Sequence, residues 1–170
     1  RRFNGNATVL FRWFNYPEHN WTMEDDMYGV REHTDMGFVT LLLQDNAGGL
    51  EVLNTNTLEW IDAPPIEDTL IVNIGDMLEL WLNGLFRATP HRVVNKASHD
   101  RLSFPFFYDP NWFTPIPKEQ LPIHNFDSVE LKNRGAYQRW DGLELKEFYH
   151  STYGEFVWKK VQRVFPQLAQ

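Results

Sequence analysis

Over the first 110 residues the apolar positions fall in short runs separated by polar turns. Residues 7–16 (ATVLFRWFNY) are rich in β-formers and stop at Pro17. Residues 37–44 (GFVTLLLQ) predict a second strand, ended by the turn sequence Asp45-Asn46-Ala47-Gly48-Gly49. Residues 50–53 and 58–61 flank Asn54-Thr55-Asn56-Thr57 and predict a hairpin. Residues 69–74 (TLIVNI) have the apolar continuity of a buried strand and run into the turn Gly75-Asp76. A short element over 77–82 leads to Asn83-Gly84, and residues 91–95 and 101–108 are the last two strands of this region. Many short strands at close spacing predict a sandwich or barrel. In the 37–44 strand both alternations are apolar, Val39, Leu41 and Leu43 against Phe38 and Leu42. Such a strand is normally covered on both faces.

The pattern then changes. Pro105, Pro110, Pro115, Pro117 and Pro122 punctuate an irregular stretch. Asp141-Gly142-Leu143-Glu144 has the form of a capping box and predicts the start of a helix. Leu145, Phe148, Tyr149, Thr152, Phe156, Val157, Val161 and Val164 recur on roughly one side of it, a stripe expected to pack on the outside of the sheet. Trp81 and Phe86 are assigned to the core.

Composition adds limits. The chain has 170 residues, enough for one domain, and its 42% hydrophobic and 23% charged residues are an ordinary globular mixture. A net charge of −7 argues against a surface that tracks nucleic-acid phosphates. No apolar run approaches the ~18 residues of a membrane span, so no membrane partner is expected. With no cysteine, a disulfide scaffold or a Cys-held metal is impossible; the expected location is cytoplasmic. The many aromatics (13 Phe, 7 Trp, 6 Tyr) suit a core and also a pocket for a small organic ligand.

The candidate chemistry lies in three places. In His33-Thr34-Asp35, residues i and i+2 of a strand point to one face, so an imidazole and a carboxylate can approach one metal. His91, far downstream on another strand, can complete a set of two histidines and one carboxylate, which leaves open positions for substrate and dioxygen. Arg101 and Ser103 again share a strand face, and a guanidinium fork with a hydroxyl suits a carboxylate anion. His19, His99, His124 and His150, the acidic run Glu24-Asp25-Asp26, and Met23, Met27, Met36 and Met77 carry no such pattern. Gly48-Gly49 is not a phosphate loop, because no Lys-Ser/Thr and no helix follow it.

Together these pieces resemble the isopenicillin N synthase-like group of iron(II)- and 2-oxoglutarate-dependent dioxygenases. The matching segments are Asn15-Tyr16-Pro17, His33-Thr34-Asp35, Gly48-Gly49-Leu50, Asn73-Ile74-Gly75-Asp76, Asn83-Gly84, Thr89-Pro90-His91-Arg92-Val93 and Arg101-Leu102-Ser103-Phe104-Pro105-Phe106-Phe107. They keep the family's order over residues 7–113, and the region from Tyr153-Gly154 to Pro166 resembles a family C-terminus. The resemblance implies a mainly β double-stranded β-helix (jelly roll) with a C-terminal helix, a single catalytic domain over 1–170. It implies Fe(II) held by His33, Asp35 and His91, and 2-oxoglutarate held by Arg101 and Ser103 with help from Tyr16. It implies oxidation of a small organic substrate by dioxygen, by hydroxylation, desaturation or cyclisation, with release of succinate and carbon dioxide.

Two departures stand out. Many plant members have Asn-Tyr-Tyr-Pro where this chain has Phe14-Asn15-Tyr16-Pro17. The family's N-terminal helical region has no counterpart before residue 7, so the N-terminal region of a longer parent chain is an expected partner of these residues. Two other readings stay open: an oxidase like isopenicillin N synthase, which uses no 2-oxoglutarate, and a catalytically silent binding module.

Overall fold

The computed structural model describes residues 6–18, 29–117, 141–164 and 166–169. His19, Met23, Glu24-Asp25-Asp26, Met27, Pro122 and His124 lie outside the described residues. Within them the period-two pattern becomes nine strands: β1 (Thr8–Phe11), β2 (Phe14–Tyr16), β3 (Val30–His33), β4 (Val39–Gln44), β5 (Leu50–Asn54), β6 (Glu59–Asp62), β7 (Ile71–Ile74), β8 (His91–Val93) and β9 (Arg101–Asp109). They form two antiparallel sheets. One runs β1-β9-β4-β7, with β2 also paired to β9; the other runs β3-β8-β5-β6. Strands remote in sequence are neighbours in both sheets, the winding of a double-stranded β-helix.

The first predicted strand is divided in two. Both halves pair with β9 in one continuous register, Phe11 opposite Phe106 and Phe14 opposite Ser103. The gap falls at Pro105, whose carbonyl accepts the Arg12 N–H at 3.0 Å but which has no N–H to return. The strand predicted from residue 69 begins at Ile71, because the Thr69 N–H and hydroxyl both bond the Ile66 carbonyl. The element predicted at 77–82 is helical, α1 (Asp76–Trp81). Trp81 is buried as expected. Phe86 is 49% exposed instead, carried outward by the turn in which Asn83 and Gly84 both take positive φ.

The C-terminal helix starts later than predicted. Asp141 Oδ1 accepts the Leu143 N–H at 3.1 Å and Gly142 sits at φ +60°, so this segment is a turn, followed by a 3-10 helix at Leu145–Phe148. The helix α2 spans Tyr153–Val164 and is opened by a different capping box. Thr152 Oγ1 accepts the Glu155 N–H at 3.3 Å, and Glu155 Oε2 accepts the Thr152 N–H at 2.7 Å. The buried face of α2, Tyr153, Phe156 and Val157, packs with Met77, Leu80 and Trp81 of α1, Leu145, Ile116 and Phe38. This apolar cluster joins α2 to α1 and to Phe38, while Leu50, Leu53, Val93 and Val94 are buried on and beside β5 and β8.

Among the described residues, the other side of the β1-β9-β4-β7 sheet stays bare. Register places Val9 beside Tyr108, Phe11 beside Phe106, and Leu41 beside both Phe106 and Val72. On this face Val9, Phe11, Leu43, Val72 and Tyr108 are all exposed, Phe11 by 63% and Val72 by 61%.

Candidate metal and co-substrate site

Pairing of β3 with β8 sets His33 opposite His91, with ring centroids 4.2 Å apart. Asp35 lies two residues beyond His33, where the strand has ended. Its Oδ1 is 3.9 Å from His33 Nε2 and 3.8 Å from His91 Nε2. One ligand atom from each of the three lies within 4.8 Å of the others. These separations are too long for hydrogen bonds, and they suit three ligands around one first-row ion at about 2.0–2.3 Å from each.

The ligand atoms are oriented from behind. His33 Nδ1–H donates to the Arg31 carbonyl at 2.8 Å, and His91 Nδ1–H donates to the Thr89 carbonyl at 3.1 Å. A carbonyl cannot donate, so each ring carries its proton on Nδ1 and turns the Nε2 lone pair inward. Burial, and then neighbouring His91, pull the His33 pKa down from 6.5 to about 4. The ring is therefore neutral at pH 7, the form that binds a metal.

Asp35 divides its two oxygens. Oδ2 accepts the Thr40 hydroxyl and the Asn73 amide, each at 2.6 Å, which leaves Oδ1 facing the histidines. Thr40 and Asn73 are register partners on β4 and β7, so one rung of the sheet supplies both donors. The backbone is held too. The Asp76 N–H donates to the Asp35 carbonyl at 2.8 Å, the Met77 N–H to the Gly37 carbonyl at 3.1 Å, and the Gly75 N–H to the Phe38 carbonyl at 2.9 Å. A Cβ on Gly75 would lie 2.1 Å from the Gly37 oxygen, so only glycine lets the two turns meet.

Arg101 and Ser103 occupy alternate positions of β9 and are 1% and 3% exposed. Arg101 Nε donates to the Gly48 carbonyl at 2.6 Å and Nη2 to Gln44 Oε1 at 3.2 Å. Nη1 is buried and, among the described residues, has no hydrogen-bond partner. Tyr16, opposite Arg101 on β2, stacks with its ring centroid 5.0 Å from the guanidinium carbon. The Asn95 amide holds the Tyr16 carbonyl at 2.9 Å. A buried guanidinium with an unfilled N–H is poised for an anion, because leaving it unpaired is costly.

The six residues singled out in the sequence fall into two groups, the half-buried triad and the Arg101–Ser103–Tyr16 group, in which Arg101 and Ser103 are buried. His99 and His150 are exposed on turns away from the triad. Thr40, Asn73, Gln44 and Asn95 escaped sequence reading. The available signal was the polar residue inside an otherwise apolar strand, as with Asn73 in TLIVNI, since a buried amide needs partners.

The fold and the triad define a class, a double-stranded β-helix with a two-histidine, one-carboxylate centre. A sequence profile of the 2OG-Fe(II) oxygenase superfamily matches residues 5–110. A probable iron/ascorbate oxidoreductase of Dictyostelium discoideum is 40% identical over 181 aligned residues, covering 98% of this chain and 48% of the relative. A 1-aminocyclopropane-1-carboxylate oxidase of Dictyostelium mucoroides is 43% identical over 151 residues, covering 88% of this chain and 39% of the relative. The dioxygenase for auxin oxidation 1 of Arabidopsis thaliana, solved as its complex with 2-oxoglutarate, superposes with TM-score 0.59 at 30% identity, over 71% of this chain and 44% of that one. The chain belongs to the 2OG-Fe(II) oxygenase superfamily. It spans about half the length, or less, of these relatives.

The residues fit the groups the family uses. Two imidazoles and a carboxylate are a donor set for iron(II), and the unfilled N–H of Arg101 suits a carboxylate. Among the described residues no helix is long and apolar enough to cross a membrane.

Proposed function

We propose that the protein is an iron(II)- and 2-oxoglutarate-dependent dioxygenase that oxidises a small organic molecule. The observation that carries this reading is the pairing of a three-ligand centre with a buried guanidinium whose Nη1 has no partner among the described residues. Iron(II) and 2-oxoglutarate, when bound, supply the activation of dioxygen that oxidises the substrate, with succinate and carbon dioxide as co-products. His33 Nε2, His91 Nε2 and Asp35 Oδ1 are the proposed metal ligands. Thr40 and Asn73 occupy Asp35 Oδ2, which leaves Oδ1 as the oxygen that would hold the metal. Arg101 and Ser103 are proposed to bind the distal carboxylate of 2-oxoglutarate, with Tyr16 stacked on the guanidinium to hold its plane. Burial of Arg101 keeps water from competing for that carboxylate.

The same proposal includes a larger assembly. The apolar outer face around Phe11, Leu43, Val72 and Tyr108 calls for cover, and further polypeptide of a longer parent chain is the proposed occupant. A cytoplasmic setting, where ferrous iron stays reduced, belongs to the proposal as well.

The test is anaerobic addition of Fe(II) and then 2-oxoglutarate to the intact protein, followed by visible absorption. Metal-dependent binding of 2-oxoglutarate and succinate release on admission of oxygen with substrate support the reading. Oxidation of substrate without succinate would replace it with the oxidase that needs no 2-oxoglutarate.

A further inference from the structure

Behind the metal-binding strand lies a buried cation that the ligand chemistry does not use. Lys160, two turns into α2, is 3% exposed. Its ammonium donates to the Thr34 carbonyl and to the Thr34 hydroxyl, each at 3.1 Å, and it pairs with the Asp76 carboxylate. Asp141 Oδ2 is 3.9 Å away. Thr34 is the residue between His33 and Asp35. Its hydroxyl is turned to Lys160, away from the metal-ligand atoms of its two neighbours.

Asp76, fully buried, donates its own N–H to the Asp35 carbonyl at 2.8 Å. Lys160 therefore grips the ligand segment at Thr34 directly and at Asp35 through Asp76. A second contact lies two turns earlier on the same helix. Tyr153 shares a hydrogen bond with Asp109, whose carboxyl also bonds the backbone at Phe38, three residues past Asp35.

An ion pair in this position is a costly way to gain stability. Removing both charges from water offsets most of their attraction, and a packed apolar pair serves as well or better. What an ammonium with three donors adds is direction: it bonds a carbonyl, a hydroxyl and a carboxylate of two different segments at once. Asp35 lies beyond the end of β3, where no ladder bond fixes its backbone angle. A shift of its Oδ1 would open the triad.

We propose that Lys160 is a positioning residue, a clamp from α2 that orients the His33-Thr34-Asp35 segment so that Asp35 Oδ1 meets the metal with both histidines. The C-terminal helix is then part of the metal site without supplying a ligand. This inference rests on the proposed metal site.

The test uses Co(II) as a spectroscopic probe on the intact protein. First, wild type binds one Co(II), and Asp35→Ala and His91→Ala abolish it; failure here removes the metal site and the clamp together. Next come Lys160→Met, the double variant Lys160→Met/Asp76→Asn, which removes both charges of the buried pair, and Lys160→Arg. In the double variant, cooperative melting persists while Co(II) affinity falls about 10- to 100-fold and the visible Co(II) bands shift, as expected for loss of an outer support. Lys160→Arg restores part of the affinity. Wild-type affinity and an unshifted spectrum in the folded double variant would overturn the clamp and leave the metal site standing. Should the Lys160 variants not fold, Thr34→Val decides, because it keeps the ion pair. Weaker Co(II) binding at unchanged melting supports the clamp, and unchanged binding overturns it.

Discussion

Asn73 Nδ2 lies 2.6 Å from Asp35 Oδ2 across 38 residues of chain, and this bond turns the other carboxylate oxygen toward His33 and His91. Removing it should release the carboxylate. Asn73→Leu is expected to weaken metal binding about 10- to 100-fold, the usual effect of losing an outer-sphere partner. Thr40→Val should act in the same direction, and the double variant should cost less than the sum, since both donors serve one oxygen. Isothermal titration with Mn(II) or Co(II) measures each.

Metal should stabilise the fold, because His33 and His91 sit on adjacent strands and Asp35 ties them to β7 through Asn73. A ligand at a hundred times its Kd adds about 2.7 kcal/mol to the native state. Thermal melting with and without Co(II) should show the gain in wild type. His91→Ala should show none, and a chelator should reverse it.

Arg101 and the triad should be separable in binding. Arg101→Met is expected to lose about 1.5–3 kcal/mol of 2-oxoglutarate affinity, the worth of a hydrogen bond to a charged group, while metal affinity stays near wild type. Arg101→Lys should not restore it, because an ammonium lacks the planar guanidinium fork whose Nε and Nη2 bond Gly48 and Gln44 while Nη1 points elsewhere in the same plane. Titration of 2-oxoglutarate into the metal-loaded protein, read by visible absorption, checks both.

The depressed pKa of His33, about 4 against an ordinary 6.5, makes the metal-free protein acid-sensitive. Between these values the unfolded chain takes up a proton that the folded state resists, so stability falls as pH drops from about 6.5 toward 4. Above 6.5 this residue contributes no pH dependence. Melting of the metal-free protein against pH should show the slope, and His33→Gln should flatten it in that window.

The bare sheet face predicts how the 170-residue chain behaves by itself. With Val9, Phe11, Leu43, Val72 and Tyr108 exposed together, it should bind a hydrophobic dye and self-associate as concentration rises. Phe11→Lys with Val72→Lys should suppress both at unchanged metal affinity. A monomer that ignores the dye would refute the proposal that this face is covered in the whole protein.

Much of the site was legible in the chain because strand geometry has a short period. Arg101 and Ser103 are two residues apart on β9, and a period of two puts them on one face. His33 and Asp35 have the same spacing, but Asp35 lies past the end of β3 and is oriented by Thr40 and Asn73. The order of short strands and turns likewise predicted a sandwich or barrel, and the family resemblance narrowed it to the jelly roll. Local rules were weaker at boundaries. Asp141-Gly142-Leu143-Glu144 and Thr152-Tyr153-Gly154-Glu155 both satisfy a helix-start pattern. Packing of Tyr153, Phe156 and Val157 against Phe38 and Met77 selected the second. The break in the first strand lay in its partner's sequence, at Pro105, and not in its own.

By itself, then, the sequence singled out the residues of the proposed site, since ligand type and residue spacing are local properties. Tertiary structure alone decided what holds them. Thr40 and Asn73 reach Asp35 because β4 and β7 are register partners, and Arg101 is aimed by a carbonyl 53 residues away. Lys160 reaches Thr34 across 126 residues. Such bonds follow from where the chain returns in space. A buried donor or acceptor must find a partner, but which one it finds is set only when the two sheets and the helices close.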